Sequence, residues 1–364
     1  MKKANAQIAP DYTDIFRTIT FLRFPATILV VILHAYTTAR NLILGDADCY
    51  IHLSYILSLC MGEMGVPLFF TISGFLFYNQ YHNIISDYTN KLKKRVHSLL
   101  IPYLFWNAFM ILFYWILQSI PHLNGYFSGS NLPVADYDIM NFIRAFWDCG
   151  NWDEGNGLPI LQPYWYIRNL IVLSICSPIL YWYIKRFKWI GILLPACCWI
   201  YAPHLALSLS SVTFFCLGGL FSLHQMNIVP VMRNKRKVFS FVFILSIAAE
   251  YVCHFYTPGI YNAYLHRIVL IIGIPFLAST AMVLKDKFTI SPLLTNSSFL
   301  IYTIHLPIMI AIRKTGSKLF PAASDIMNVI LYIASIILTS IICIAVYYLL
   351  NKYLPKTTRF ITGR

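Results

Sequence analysis

Apolar runs about as long as a bilayer is thick follow one another along almost the whole of this chain of 364 residues. A helix takes about 20 apolar residues to cross hydrocarbon. A backbone with no water around it must satisfy its own N–H and C=O groups, and a helix does so within one segment. Charged residues make up 12% of the chain and apolar ones 58%, with a mean hydropathy of +0.64, whereas soluble domains carry about 25% charged residues. The expected fold is all-α, a polytopic transmembrane helix bundle that forms one integral membrane domain over residues 1–364, with its core at 15–350. The polar start, with Lys2, Lys3, Asp11 and Asp14, reads as a retained cytoplasmic N-terminus rather than a signal peptide.

Ten spans are expected, near residues 17–37, 54–80, 98–118, 161–184, 189–203, 208–224, 238–256, 264–284, 292–312 and 326–350. The fifth is short, and its loss would invert everything after it. Basic residues orient the spans. With the N-terminus inside, clusters such as Lys91–Arg95, Lys185–Lys188, Arg233–Lys237 and the C-terminal tail are cytoplasmic. That side then holds twenty of the 28 basic residues, against five outside. Both termini are therefore expected in the cytoplasm of a cell whose inner or plasma membrane holds the chain. The loop with Arg313, Lys314 and Lys318 runs against the trend. The net charge of +14 is accounted for by orientation and does not call for nucleic acid.

Ionisable groups inside apolar segments are costly and mark sites. The first span holds Arg23 and His34, eleven residues apart. On a helix that is about three turns and roughly 16 Å, so both lie on one face together with Thr27 and Val30. A snorkelling arginine and an interfacial histidine are the structural alternative. Pro25 is a helix-starting residue that would leave Arg23 ahead of the helix proper. Glu63 lies in the outer part of the second span, in position to orient or charge His34 if the two helices touch. In the same span Ser73 and Gly74 read as a close-packing point. Lys93, Lys94 and Arg95 stand at the cytoplasmic mouth of the third span, where they mark either topology and anionic lipid or a phosphate collar. Ser298, Tyr302 and His305 form one polar stripe on the ninth span, which must face protein or water. Arg168 and Arg267 fall in the outer thirds of their spans.

The outer loop at 119–160 carries Asp136, Asp138, Asp148, Asp153 and Glu154 beside Trp147 and Trp152. It reads either as a sugar-contacting segment or as an ordinary solvated loop. Cys49 and Cys149 both fall in outer loops and are candidates to pair. No ligand-spaced Cys/His cluster is present, so no metal is expected. No internal repeat stands out, which counts mildly against a transporter.

Five motifs occur in order: Arg-x10-His in the first span; Val66-Pro-Leu-Phe-Phe-Thr-Ile-Ser-Gly-Phe-Leu76; the basic run into Ile101-Pro-Tyr; Tyr164-Trp-Tyr-Ile-Arg-Asn-Leu170; and Ser298-x3-Tyr-x2-His305. Together they resemble the acyltransferase family 3 membrane proteins, multi-pass enzymes that typically O-acetylate surface glycans. The resemblance implies a cytosolic acyl-CoA donor, most often acetyl-CoA, as co-substrate with no tightly bound cofactor. It also implies a glycan or lipid-linked sugar as acceptor. Arg23 and His34 match the essential pair, Tyr302 and His305 the late-helix motif, and Arg95 the basic motif. On this reading Lys93, Lys94 and Arg95, with Arg23 deeper, hold the CoA phosphates. His34 acts as general base or as an acyl carrier, and an arginine or Tyr302 steadies the oxyanion. Glu63 is a further catalytic candidate from depth alone, and Trp165, Arg168 and Arg267 are substrate-binding candidates. The alternatives are a glycan transporter or flippase of polysaccharide export, and an assembly partner that has lost catalysis.

Overall fold

The computed structural model describes residues 12–36, 48–81, 84–121, 132–149, 157–201, 206–257, 259, 261–320 and 324–364. Among these every regular element is helical. The first three long helices are α1 (Thr13–Ala35), α2 (Asp48–Tyr78) and α3 (Ile85–Ser119). A short α4 (Ile139–Ala145) precedes α5 (Trp165–Ile175), α6 (Ser177–Phe187), α7 (Ile190–Tyr201), α8 (Ala206–Leu223) and α9 (Val229–Asn234). Then come α10 (Arg236–Tyr256), α11 (Tyr261–Leu284), α12 (Pro292–Leu319), α13 (Asp325–Tyr353) and α14 (Pro355–Ile361).

All ten expected apolar segments fall on helices, but they are not ten equal spans. Seven helices are long and apolar enough to cross a membrane, or up to eight if the broken pair made by Gln162–Ile175 and Ser177–Phe187 is one span. The expected fourth span is that broken pair, and the expected fifth, α7, has 12 residues, about 18 Å of helix against a hydrocarbon layer of about 30 Å. Helix α1 begins at Thr13 and runs through Pro25, so Arg23 lies inside the helix rather than ahead of it. Lys2, Lys3, Asp11, Arg40, Trp152, Asp153 and Glu154 lie outside the described residues.

The chain forms two compact units, each assembled from three separate stretches. Unit 1 comprises Met1–Ala26, Glu63–Ile84 and Ser177–Thr295; unit 2 comprises Thr27–Gly62, Ile85–Cys176 and Asn296–Arg364.

In unit 1 the expected close-packing point is real. A Cβ on Gly74 would stand 1.9 Å from the Phe215 carbonyl oxygen, and one on Gly218 would stand 1.9 Å from that of Thr71. The two glycines let α2 and α8 touch backbone to backbone, as small residues do between membrane helices. At one end of this unit Lys285 Nζ bonds Asp14 and Asp286, while Arg233 Nη2 meets the same two carboxylates at 3.0 and 2.9 Å. The two cations hold the Asp286 carboxyl below the usual carboxylate range.

In unit 2 the end of α1 is locked from several sides. Gly62 ends a π-helical stretch of α2 (Tyr55–Met61) and admits Leu33 N and Leu29 O, which a Cβ would meet at 2.8 and 2.9 Å. Ser58 Oγ donates to the Ile32 carbonyl at 2.6 Å and lies 2.7 Å from Tyr332 Oη, which therefore donates to it. Arg313 donates to the Ala35 carbonyl. These contacts satisfy carbonyls that a helix C-terminus leaves without intrahelical partners, and they fix the turn that carries His34. Elsewhere in the unit Asp138 caps α4 through Asn141 N at 2.7 Å. Cys49 and Cys149 are both free thiols. Burial pushes the Cys149 thiol up, and its sulfur lies 3.4 Å from Tyr137 Oη.

Candidate active site

Unit 2 brings His34 and His305 together. Their ring centroids are 5.1 Å apart at an interplanar angle of 43°. The polar stripe of α12 faces protein throughout, with Ser298, Tyr302 and His305 all buried. His305 has no exposed surface, and its Nδ1 lies 2.9 Å from the Ile301 carbonyl oxygen. A carbonyl only accepts, so Nδ1 carries a proton, and in the neutral ring Nε2 keeps a lone pair. That Nε2 is buried and has no hydrogen-bond partner among the described residues. His34 is half-buried and lies beside it.

An aromatic path joins this pair to the basic run. The Tyr302 ring lies 6.3 Å from that of His305 and 5.9 Å from that of Tyr166. Tyr166 in turn lies within electrostatic range of Arg95. Arg95 is half-buried, whereas Lys93 and Lys94 are exposed. Beside the path Tyr103, Tyr164 and Tyr302 stack, with centroids at 5.8 and 6.1 Å.

Several expected residues have other occupations. The Tyr302 hydroxyl donates a hydrogen bond to the Pro163 carbonyl, while its ring lies 6.3 Å from that of His305. Tyr164 Oη meets Thr303 Oγ1 at 2.9 Å one residue further along α12. Arg168 bonds the Trp147 carbonyl, covers the Trp147 ring at 5.0 Å and reaches Asn169 Oδ1 at 3.2 Å. It thereby clamps the segment after α4. Trp165 opens α5 and is half-buried. In unit 1, Arg267 Nη1 donates to the Trp199 and Ile200 carbonyls at 2.6 and 2.7 Å and so closes the C-terminal end of α7. Arg23 is exposed.

Glu63 sits in a cluster that sequence reading missed. Its Oε2 is 2.9 Å from His266 Nε2, and His266 Nδ1 is 2.6 Å from Glu250 Oε1. Three helices of unit 1, α2, α10 and α11, each supply one ionisable side chain. The Glu250 side chain is 1% exposed and that of Glu63 is 40% exposed, so the cluster grades from a fully buried carboxylate to an accessible one. The signal was present: Glu250 and His266 are ionisable residues within expected spans.

Comparison with known proteins places the chain. It matches the family model described as an acyltransferase domain (Acyl_transf_3) over residues 16–348. No curated protein and no solved structure matches it. The match covers nearly all of the chain, and with it the helices that carry His34 and His305. The chain therefore belongs to acyltransferase family 3 and is a multi-pass membrane acyltransferase.

Proposed function

We propose that the protein transfers an acyl group, acetyl in our reading, from cytosolic acyl-CoA to a hydroxyl of a cell-surface glycan or lipid-linked sugar. The observation that carries the proposal is the His34–His305 pair, linked within one unit through Tyr302 and Tyr166 to Arg95. CoA has phosphates at one end and a thioester at the other. Lys93, Lys94 and Arg95 suit the phosphates, and the aromatic path suits the thin arm between.

In the reaction the acceptor hydroxyl oxygen attacks the thioester carbonyl. The C–S bond breaks, an ester forms, and the hydroxyl proton ends on the departing thiolate. His34, accessible beside the buried His305, acts as the base that takes the proton and returns it, a role worth about 10²–10⁴ in rate. The lone pair on His305 Nε2 accepts a hydrogen bond from His34 or from the acceptor and sets which nitrogen of His34 faces the substrate. Family resemblance assigns Arg23 to the same reaction, and Glu63 stays a candidate. The protein works in the inner or plasma membrane, with both termini in the cytoplasm.

The test uses full-length purified protein, radiolabelled acetyl-CoA and a crude glycan acceptor. Label passes to glycan with the native protein and is lost with His34→Ala at an unchanged melting temperature. Glycan movement across vesicles without label transfer would instead support an export protein.

A further inference from the structure

One cation in unit 2 meets neutral partners. Arg313, near the end of α12, donates to the Ala35 carbonyl and, at 3.4 Å, to Tyr50 Oη. The nearby Asp325 is engaged elsewhere, accepting from the backbone N–H groups of Cys49 and Tyr50 at 2.9 Å each. Among the described residues no carboxylate forms an ion pair with Arg313. The C-terminal end of α1 supplies about half a negative charge, so among the described residues the guanidinium charge is only partly compensated. Among the described residues, two of its five N–H donors are in use.

This side chain lines a cavity of ≈ 460 Å³ that also includes Tyr50, Asn328 and Tyr332, with Leu331 and Leu338 among its apolar walls. The volume is within the roughly 300–1,000 Å³ of ligand pockets. A basic pocket between membrane helices is suited to phosphate head groups. The carbonyl that Arg313 holds belongs to Ala35, the neighbour of His34. His305 lies eight residues earlier on α12, about 12 Å along the axis.

We propose that this cavity seats the acyl acceptor, and that the acceptor is a lipid-linked sugar with a phosphate between lipid and sugar. The phosphate pairs with Arg313, the tail lies along α12 and α13, and the sugar extends toward His34. The proposal rests on the acyl-transfer reading above, and charge complementarity selects a phosphate-bearing amphiphile over a neutral one.

The experiment uses the full chain in phosphatidylcholine nanodiscs with a photoreactive polyprenyl phosphate, the label being mapped by mass spectrometry. Label should fall on α12 and α13 and be displaced by unlabelled polyprenyl phosphate but not by phosphatidylglycerol. It should drop about tenfold in Arg313→Gln, the scale of one charged hydrogen bond, and recover in Arg313→Lys. Leu338→Trp, which fills the cavity and leaves Arg313 in place, should also abolish it. Undiminished labelling in folded Arg313→Gln or Leu338→Trp protein overturns the proposal. So does equal displacement by phosphatidylglycerol, which would make this a site for ordinary lipid. Full acyl transfer to a water-soluble glycan by Leu338→Trp overturns it too, while leaving the acyl-transfer reading intact. Arg313-dependent labelling without any acyl transfer supports the phosphate site and removes that reading.

Discussion

Replacing Gly74 with alanine sets two effects against each other, and the structure decides the sign. Within a helix, glycine to alanine is favourable by about 1 kcal/mol through backbone entropy. Against that, the new Cβ would stand 1.9 Å from the Phe215 carbonyl oxygen, where ordinary contact begins at 3.4 Å. The obstacle is helix backbone, which has no rotamer to escape into, so α2 and α8 must part. Overpacking of this kind costs about 1–3 kcal/mol, and the parted helices also lose dispersion contacts along the seam. Net destabilisation is expected, read as a lower melting temperature of the detergent-solubilised full-length protein. Gly218→Ala should behave alike, because its Cβ meets the Thr71 carbonyl oxygen at the same 1.9 Å. The double variant should cost less than the two singles together, since helices already parted admit the second methyl group; couplings between touching sites run to about 0.5–3 kcal/mol. A neutral or stabilising Gly74→Ala, or strict additivity, would refute the backbone-to-backbone seam.

Glu250→Leu should be severely destabilising, about 3–5 kcal/mol, because it strips His266 of a carboxylate that is 1% exposed. Glu63→Gln should cost much less, since a side chain 40% exposed is screened by its surroundings; equal effects on the melting temperature would contradict the graded cluster. Tyr332→Phe removes the buried 2.7 Å bond to Ser58 and should lose about 1 kcal/mol, seen as earlier unfolding in denaturant. Asp286 titrates below its unfolded value because of Lys285 and Arg233. Its contribution is thus present above the unfolded carboxylate value of about 3.9 and is lost as pH falls through the lower folded one. Asp286→Asn should lower the melting temperature at neutral pH and leave it little changed at the acid end, so that the acid limb of the profile flattens.

The membrane class, the all-helical fold, the family and the residues worth watching were legible in the sequence, because they follow from local facts. Hydrocarbon sorts segments by length and polarity, and a helix fixes spacing, so the buried stripe of Ser298, Tyr302 and His305 and the packing role of Gly74 were readable from one segment each. Tertiary structure decided what meets what. The placement of His34 against His305 depends on α1 and α12, which are far apart in the chain. His266 lying between Glu63 and Glu250, Arg267 closing α7, and Tyr302 donating a hydrogen bond to Pro163 likewise depend on partners that periodicity does not reveal. A polar side chain in an apolar helix announces that it has a partner. Which partner it has depends on how helices distant in sequence pack, and their small residues and carbonyls settle that only once the chain has folded.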